Sequence, residues 1–127
     1  MPYTLEHRVH PEYLEVHIKG EIVPGKEFKE AQERWSTIAD LCKTTTRNFI
    51  LAFIDLKGQH PTSSKFNLVN AATNMGWLPD YKLSVVVKNE EQFNHLSFTE
   101  TVMNNLGYEM KLFLKRKEAK KWLFAGK

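Results

Sequence analysis

Residues 3–9 alternate along the chain, with Tyr3, Leu5, His7 and Val9 in one set of positions and Thr4, Glu6 and Arg8 in the other. Successive side chains of a strand point to opposite faces, so a period of two predicts a half-buried strand with the odd-numbered residues inward. His10-Pro11-Glu12 breaks the pattern, which resumes as Leu14, Val16 and Ile18 against Glu15, His17 and Lys19. That is a second strand, and its short link to the first predicts an antiparallel hairpin. From Pro24-Gly25 the period changes: Phe28, Ala31, Trp35, Ile38, Ala39 and Cys42 recur at three- and four-residue steps, the apolar stripe of a helix. Glu27, Glu30 and Glu33 suit the positive end of its dipole. Thr44-Thr45-Thr46 ends it, because β-branched side chains lose rotamer freedom in a helix.

Phe49 to Ile54 is an unbroken apolar run, as expected of a central strand covered on both faces. Thr62 or Ser63 then caps a helix with Phe66, Val69 and Ala72 inward. Residues 75–80 read as a loop and 81–87 as a fourth strand. Asn89-Glu90-Glu91-Gln92 and Ser97-Phe98-Thr99-Glu100 both resemble capping boxes. The second is the better match, since a serine and a glutamate satisfy two free amides reciprocally. It places Phe98, Val102 and Leu106 on one helical face and makes Gly107 the left-handed stop. Residues 108–114 form a fifth strand, and Ala119, Trp122 and Leu123 anchor a last short helix, with Trp122 in the core. The order β-β-α-β-α-β-α-β-α predicts an α/β fold: a hairpin, then alternating helices and strands in a five-stranded, mostly parallel sheet with four helices. A single domain over residues 1–127 is expected.

Composition is that of an ordinary globular chain: 127 residues, 42% hydrophobic and 26% charged. No apolar run approaches the ~18 residues of a membrane span. The start, MPYTLEHR, carries acid and histidine where a signal peptide is apolar, so a soluble cytoplasmic protein is expected. The single cysteine, Cys42, excludes an internal disulfide and falls on a helical stripe, where it packs.

The net charge of +3 is unevenly spread. Residues 111–127 hold seven basic residues and one acid, Glu118, leaving eleven basic and fourteen acidic before them. Arg116, Lys117, Lys120 and Lys121 share one face of the last helix and form a candidate basic surface. A solvated face is the expected role, with contact to an anionic membrane as the alternative. Nucleic acid is not expected, since no aromatic residues interleave with these cations on a strand platform.

Candidate chemistry is sparse. None of GxSxG, HExxH, GxxxxGK[ST] or GxGxxG occurs. His7 and His17, on neighbouring strands, could face each other, but no third ligand is placed, so no metal site is expected. Asp55, His60 and Ser63 or Ser64 come from one short loop with nothing to brace the histidine, which argues against a catalytic triad. The same loop, with Gly58 and the hydroxyls of Thr62, Ser63 and Ser64, has the character of an anion site at a helix start. Phe66, Trp77 and Tyr81 are candidates to line a small apolar pocket beside it. No cofactor is expected.

The layout resembles the STAS fold of the bacterial anti-anti-sigma factors (SpoIIAA-like). Its details resemble more narrowly the small stand-alone STAS-like bacterial proteins of unassigned function, often grouped with CRAL-TRIO lipid-carrier domains. The stretches that carry the resemblance are FIDLKGQHPT at 53–62, GWLPDYKLSVV at 76–86, FTETVMNNLGYEMKLF at 98–113 and EAKKWL at 118–123. The family pattern closes with a strand ending in Phe, a few turn residues and Glu-Ala-x-x-Trp-Leu, which Phe113 and Glu118 to Leu123 match. In anti-anti-sigma factors the loop after the third strand runs Asp-Leu-Ser-Gly, a spacer, then Asp-Ser-Ser, whose first serine is phosphorylated. Here Asp55-Leu56-Lys57-Gly58 is followed by Thr62-Ser63-Ser64, and a one-residue deletion puts Ser63 at the acceptor position. Two departures stand out: Thr62 replaces the aspartate, and Lys65-Phe66-Asn67 replaces a small Gly-Leu-Gly. The resemblance implies a non-enzymatic binding or regulatory domain that takes a small molecule, a lipid-like ligand or a regulatory protein. A phospho-switch at Ser63 and a peripheral membrane role are the alternatives, and a homodimer is compatible with each.

Overall fold

The computed structural model describes residues 3–58 and 76–125. The elements run β1 (Tyr3–Val9), β2 (Leu14–Glu21), α1 (Glu27–Thr45), β3 (Phe49–Lys57), β4 (Lys82–Val87), α2 (Glu90–Asn105), β5 (Glu109–Phe113) and α3 (Arg116–Phe124). The expected helix around Phe66, Val69 and Ala72 lies outside the described residues, so three helices are described where four were expected. The five strands lie in sequence order, β1-β2-β3-β4-β5. The sheet is mixed rather than mostly parallel in kind: β1 runs antiparallel to β2, and β2 to β5 run parallel. The hairpin is closed by the His10 N–H donating to the Tyr13 carbonyl at 2.9 Å, with the two rings stacked at 4.3 Å.

Each face of the sheet has its own core. Leu14, Val16, Ile18, Ile50, Ala52 and Val85 face α1 and α2, and meet Ile38, Ala39, Cys42 and Met103. On the other face Leu51 and Tyr13 pack with Ala119 and Leu123 of α3. The central strand β3 is thus covered on both sides, as its unbroken apolar run requires. Cys42 is a packing residue: burial pushes its thiol up to about 12, far from any reactive thiolate.

The alternation in β1 overstates its burial. Tyr3 is buried and Leu5 half-buried, but His7 is exposed and Val9 is 43% exposed. The reason is position: β1 is an edge strand, and α1 reaches it near Tyr3, where the Arg34 guanidinium lies 5.0 Å above the ring. Burial raises the Tyr3 hydroxyl above its ordinary value, helped by Glu33, against the pull of Arg34. His7 and His17 do not meet. His7 is registered with Val16 and His17 with Glu6, so the two histidines stand on opposite faces.

The cap of α2 is Asn89, whose side-chain oxygen accepts from the Gln92 N–H at 2.9 Å. The Ser97 box, expected to be the better start, lies inside the helix, where Ser97 Oγ donates to the Asn94 carbonyl at 2.9 Å. Starting eight residues earlier changes the inward face to Phe93, Leu96, Val102 and Met103. Phe98 and Leu106, expected inward, are 36% and 53% exposed. Asn89→Ala should therefore cost about 1 kcal/mol in chemical denaturation. Ser97→Ala should cost little or nothing, since alanine is the better residue inside a helix.

The inward face of α2 also closes one edge of the sheet. Asn104 accepts from the Met110 N–H at 3.3 Å and donates to the Met110 carbonyl at 3.0 Å. The Glu100 carboxylate accepts from the Leu112 N–H at 2.6 Å. These bonds occupy three of the outward backbone groups of β5, the Met110 N–H and carbonyl and the Leu112 N–H, groups through which an edge strand recruits another chain.

α3 is fixed to the sheet by polar as well as apolar contacts. Ser84 Oγ donates to the Ala119 carbonyl at 2.9 Å beneath the helix. Lys82 Nζ donates to the Trp122 and Ala125 carbonyls at 2.9 and 3.2 Å, placing an ammonium at the negative end of the helix. Trp122 is half-buried, not core: its ring tilts against Phe113 and carries the Lys82 ammonium 4.5 Å above its face. Ala119 and Leu123 are the buried anchors, because they occupy the side of this short helix that faces β3 and β4.

Candidate functional site

α3 covers only part of its face of the sheet. Among the described residues nothing covers the second face over β1, β2 and the C-terminal half of β3, which forms a depression of about 570 Å³. Its lining includes Arg8 and Glu15 on the hairpin, His17 and Phe53 on adjacent strands, and Asp55 and Lys88 at the strand ends. His17 and Phe53 are registered neighbours on parallel strands, and their rings stack at 4.6 Å with 10° between planes. The Arg116 guanidinium sits 5.4 Å above the Phe53 ring.

Glu15 is the hub. Although on the polar side of β2, it is only 5% exposed. His17 Nε2 lies 2.7 Å from one carboxylate oxygen; His10 Nε2 at 3.2 Å and Arg116 Nη2 at 3.1 Å share the other. Burial alone would raise the carboxyl's pKa. The His17 hydrogen bond, then Arg116, and the charges of His17 and His10 outweigh it and hold the carboxyl below its ordinary value. A carboxylate held ionised by three donors is a poor proton acceptor at neutral pH. Its arrangement instead ties the hairpin to the start of α3. Among the described residues no group of three or more His, Cys, Asp or Glu side chains is placed to hold a metal ion.

This cluster was not anticipated. Glu15 and His17 are two apart on a strand and so share a face, which was the available signal. Arg116 joins them from a hundred residues away in sequence, through the docking of α3.

Of the loop residues singled out in the sequence, Asp55 and Gly58 are described. Asp55 ends the inner part of β3, where Gln92 Nε2 donates to it at 3.0 Å and Lys88 Nζ lies at 3.8 Å. Gly58 has φ +103, a backbone region natural to glycine, and a Cβ there would stand 3.3 Å from the Ile22 Cβ. His60, Thr62, Ser63, Ser64 and Phe66 lie outside the described residues. Trp77 and Tyr81 are 3% and 2% exposed and meet edge to face at 5.4 Å, with Trp35 completing the group at 5.7 Å from Trp77. On α3, Arg116 is engaged with Glu15 and Phe53, and Lys120 Nζ lies 5.3 Å from the Tyr13 ring centre. Lys117 and Lys121 are exposed. No helix among the described residues is long and apolar enough to cross a membrane.

No family model matches the sequence, and no curated protein matches it. Solved structures do match the fold. An anti-sigma factor antagonist from Mycobacterium paratuberculosis superposes with a TM-score of 0.63 at 11% identity, over 95% of this chain and 93% of its own. SpoIIAA, an anti-sigma factor antagonist solved in its unphosphorylated form, gives 0.54 at 16% identity over 95% of both chains. An uncharacterised protein from Shewanella loihica PV-4 with a SpoIIAA-like fold gives 0.54 at 16% identity, over 95% of this chain and 93% of its own. The chain therefore has the α/β SpoIIAA-like fold that its sequence resembles.

Proposed function

We propose that this chain is a non-enzymatic regulatory module that works by docking a regulatory protein at the C-terminal ends of its parallel strands. The observation that carries this reading is the likeness, over nearly the whole chain, to two anti-sigma factor antagonists. The local geometry supports it. Ligand and partner sites of open α/β sheets gather where parallel strands end. Here Asp55 is braced by Gln92 and Lys88 at that end, three residues before Gly58 with its positive φ. The 59–64 segment, which carries Ser63, follows Gly58 directly in sequence. A phosphate on Ser63 would add up to two negative charges to the segment that follows Gly58 in sequence and repel an acidic partner surface. On this reading the protein acts in the cytoplasm. The membrane alternative is the weaker, because Arg116 and Lys120, two of its four cations, are turned to groups on the sheet.

The test uses the full chain as bait in native extract, in wild-type, Ser63→Ala and Ser63→Asp forms, followed by native mass spectrometry. A protein held in stoichiometric amount by the first two baits and lost from the third is expected. Purified protein that instead carries a small or lipid-like adduct, with no protein retained by any bait, would replace this reading with ligand binding.

A further inference from the structure

We propose that β1 is a two-fold dimerisation edge, which pairs antiparallel with β1 of a second copy about an axis through His7. The sheet has two edges, and they are treated differently. At β5, Asn104 and Glu100 bond the Met110 N–H and carbonyl and the Leu112 N–H on the outward side. At β1, Glu6, His7, Arg8 and Val9 are all exposed, and among the described residues neither Glu6 nor Arg8 has an ion-pair partner. Arg8 is registered across from Glu15, but that carboxylate is already taken by His10, His17 and Arg116.

The sequence of the strand selects the partner. Leu5-Glu6-His7-Arg8-Val9 reads apolar, acid, histidine, base, apolar, and is complementary to itself when reversed. Pairing centred on His7 sets Glu6 opposite the partner's Arg8 and Arg8 opposite the partner's Glu6, on one face. On the other face Leu5 meets the partner's Val9 and Val9 the partner's Leu5, and His7 meets the partner's His7. Residues opposite each other in an antiparallel ladder point their backbone groups the same way, so a slip by a single residue breaks the hydrogen bonding. The next permitted two-fold registers fail on charge: one sets Glu6 against the partner's Glu6, the other Arg8 against the partner's Arg8. Opposite charges across a ladder stabilise it and like charges oppose it. A second copy of this chain is therefore the occupant that the edge fits. Among the described residues β1 is the edge whose side chains are left exposed, and pairing there, with α2 bonded along β5, stops at two copies and gives a ten-stranded sheet.

Sedimentation velocity across a concentration series tests this on wild type, Glu6→Arg, Arg8→Glu and an equimolar mixture of the two variants. Both positions are exposed, and circular dichroism confirms that each variant is folded. Wild type should dimerise. Each single variant should set like charges opposite each other at two symmetric positions and weaken the dimer about tenfold or more. The mixture should recover dimer, because one variant presents two cations and the other two anions. A wild type that stays monomeric throughout, single variants that dimerise as wild type does, or a mixture that stays dissociated would each overturn the proposal.

Discussion

Leu123→Ala should lower the unfolding free energy by about 2–5 kcal/mol, the range for emptying a well-packed leucine site. Leu123 is fully buried and, with Ala119, is one of the two buried residues that α3 sets against Leu51 and Tyr13. The neighbouring Trp122→Ala should cost less, although it removes more atoms. Trp122 is half-buried, and its loss leaves the Lys82 ammonium still bonded to the carbonyls of residues 122 and 125. Urea titrations of the two variants side by side check the order. If the tryptophan variant proved the less stable, the packing assigned to α3 would be reversed.

Glu15→Gln should cost about 1–3 kcal/mol near neutral pH, the penalty for a buried hydrogen-bonding group that loses charge-assisted partners. The cost stays below that of a fully buried pair because Arg116, with half its side chain exposed, can turn to water. The pH dependence follows from the direction of the carboxyl's shift. Its folded pKa lies below its unfolded value, so its contribution is complete above the ordinary carboxylate range and is lost as the pH falls through the folded value. The difference between wild type and the glutamine variant should therefore hold at pH 7 and narrow as the pH falls below the ordinary carboxylate range. A difference that persisted in strong acid would mean that shape, not charge, distinguishes the two side chains.

What was legible in the sequence was what a repeat period can encode. The alternation in β2 and the stripe of α1 each fixed an element and its inward face, the unbroken run of β3 fixed a strand buried on both sides, and the order of elements gave the fold. Where two local signals competed, the period could not choose. Asn89 and Ser97 are both adequate caps, and the earlier one prevails because it brings Phe93 and Leu96 onto the core, a tertiary gain absent from the local pattern. Nor does alternation reveal that a strand lies at an edge, so His7 and Val9 were expected inward. The Glu15 cluster was hidden for a related reason. A polar residue on the outward face of a strand reads as solvated until a distant helix lays an arginine across it.

The second face of the sheet has a temporal consequence. A chain is made from its N-terminus, and α3 is the last of the described elements to emerge from the ribosome. Until it does, Leu51, Phe53, Val86 and Phe113 lack the apolar cover that α3 gives them, and the Ser84 hydroxyl lacks the Ala119 carbonyl that it later meets. Such a surface is what holding chaperones grip.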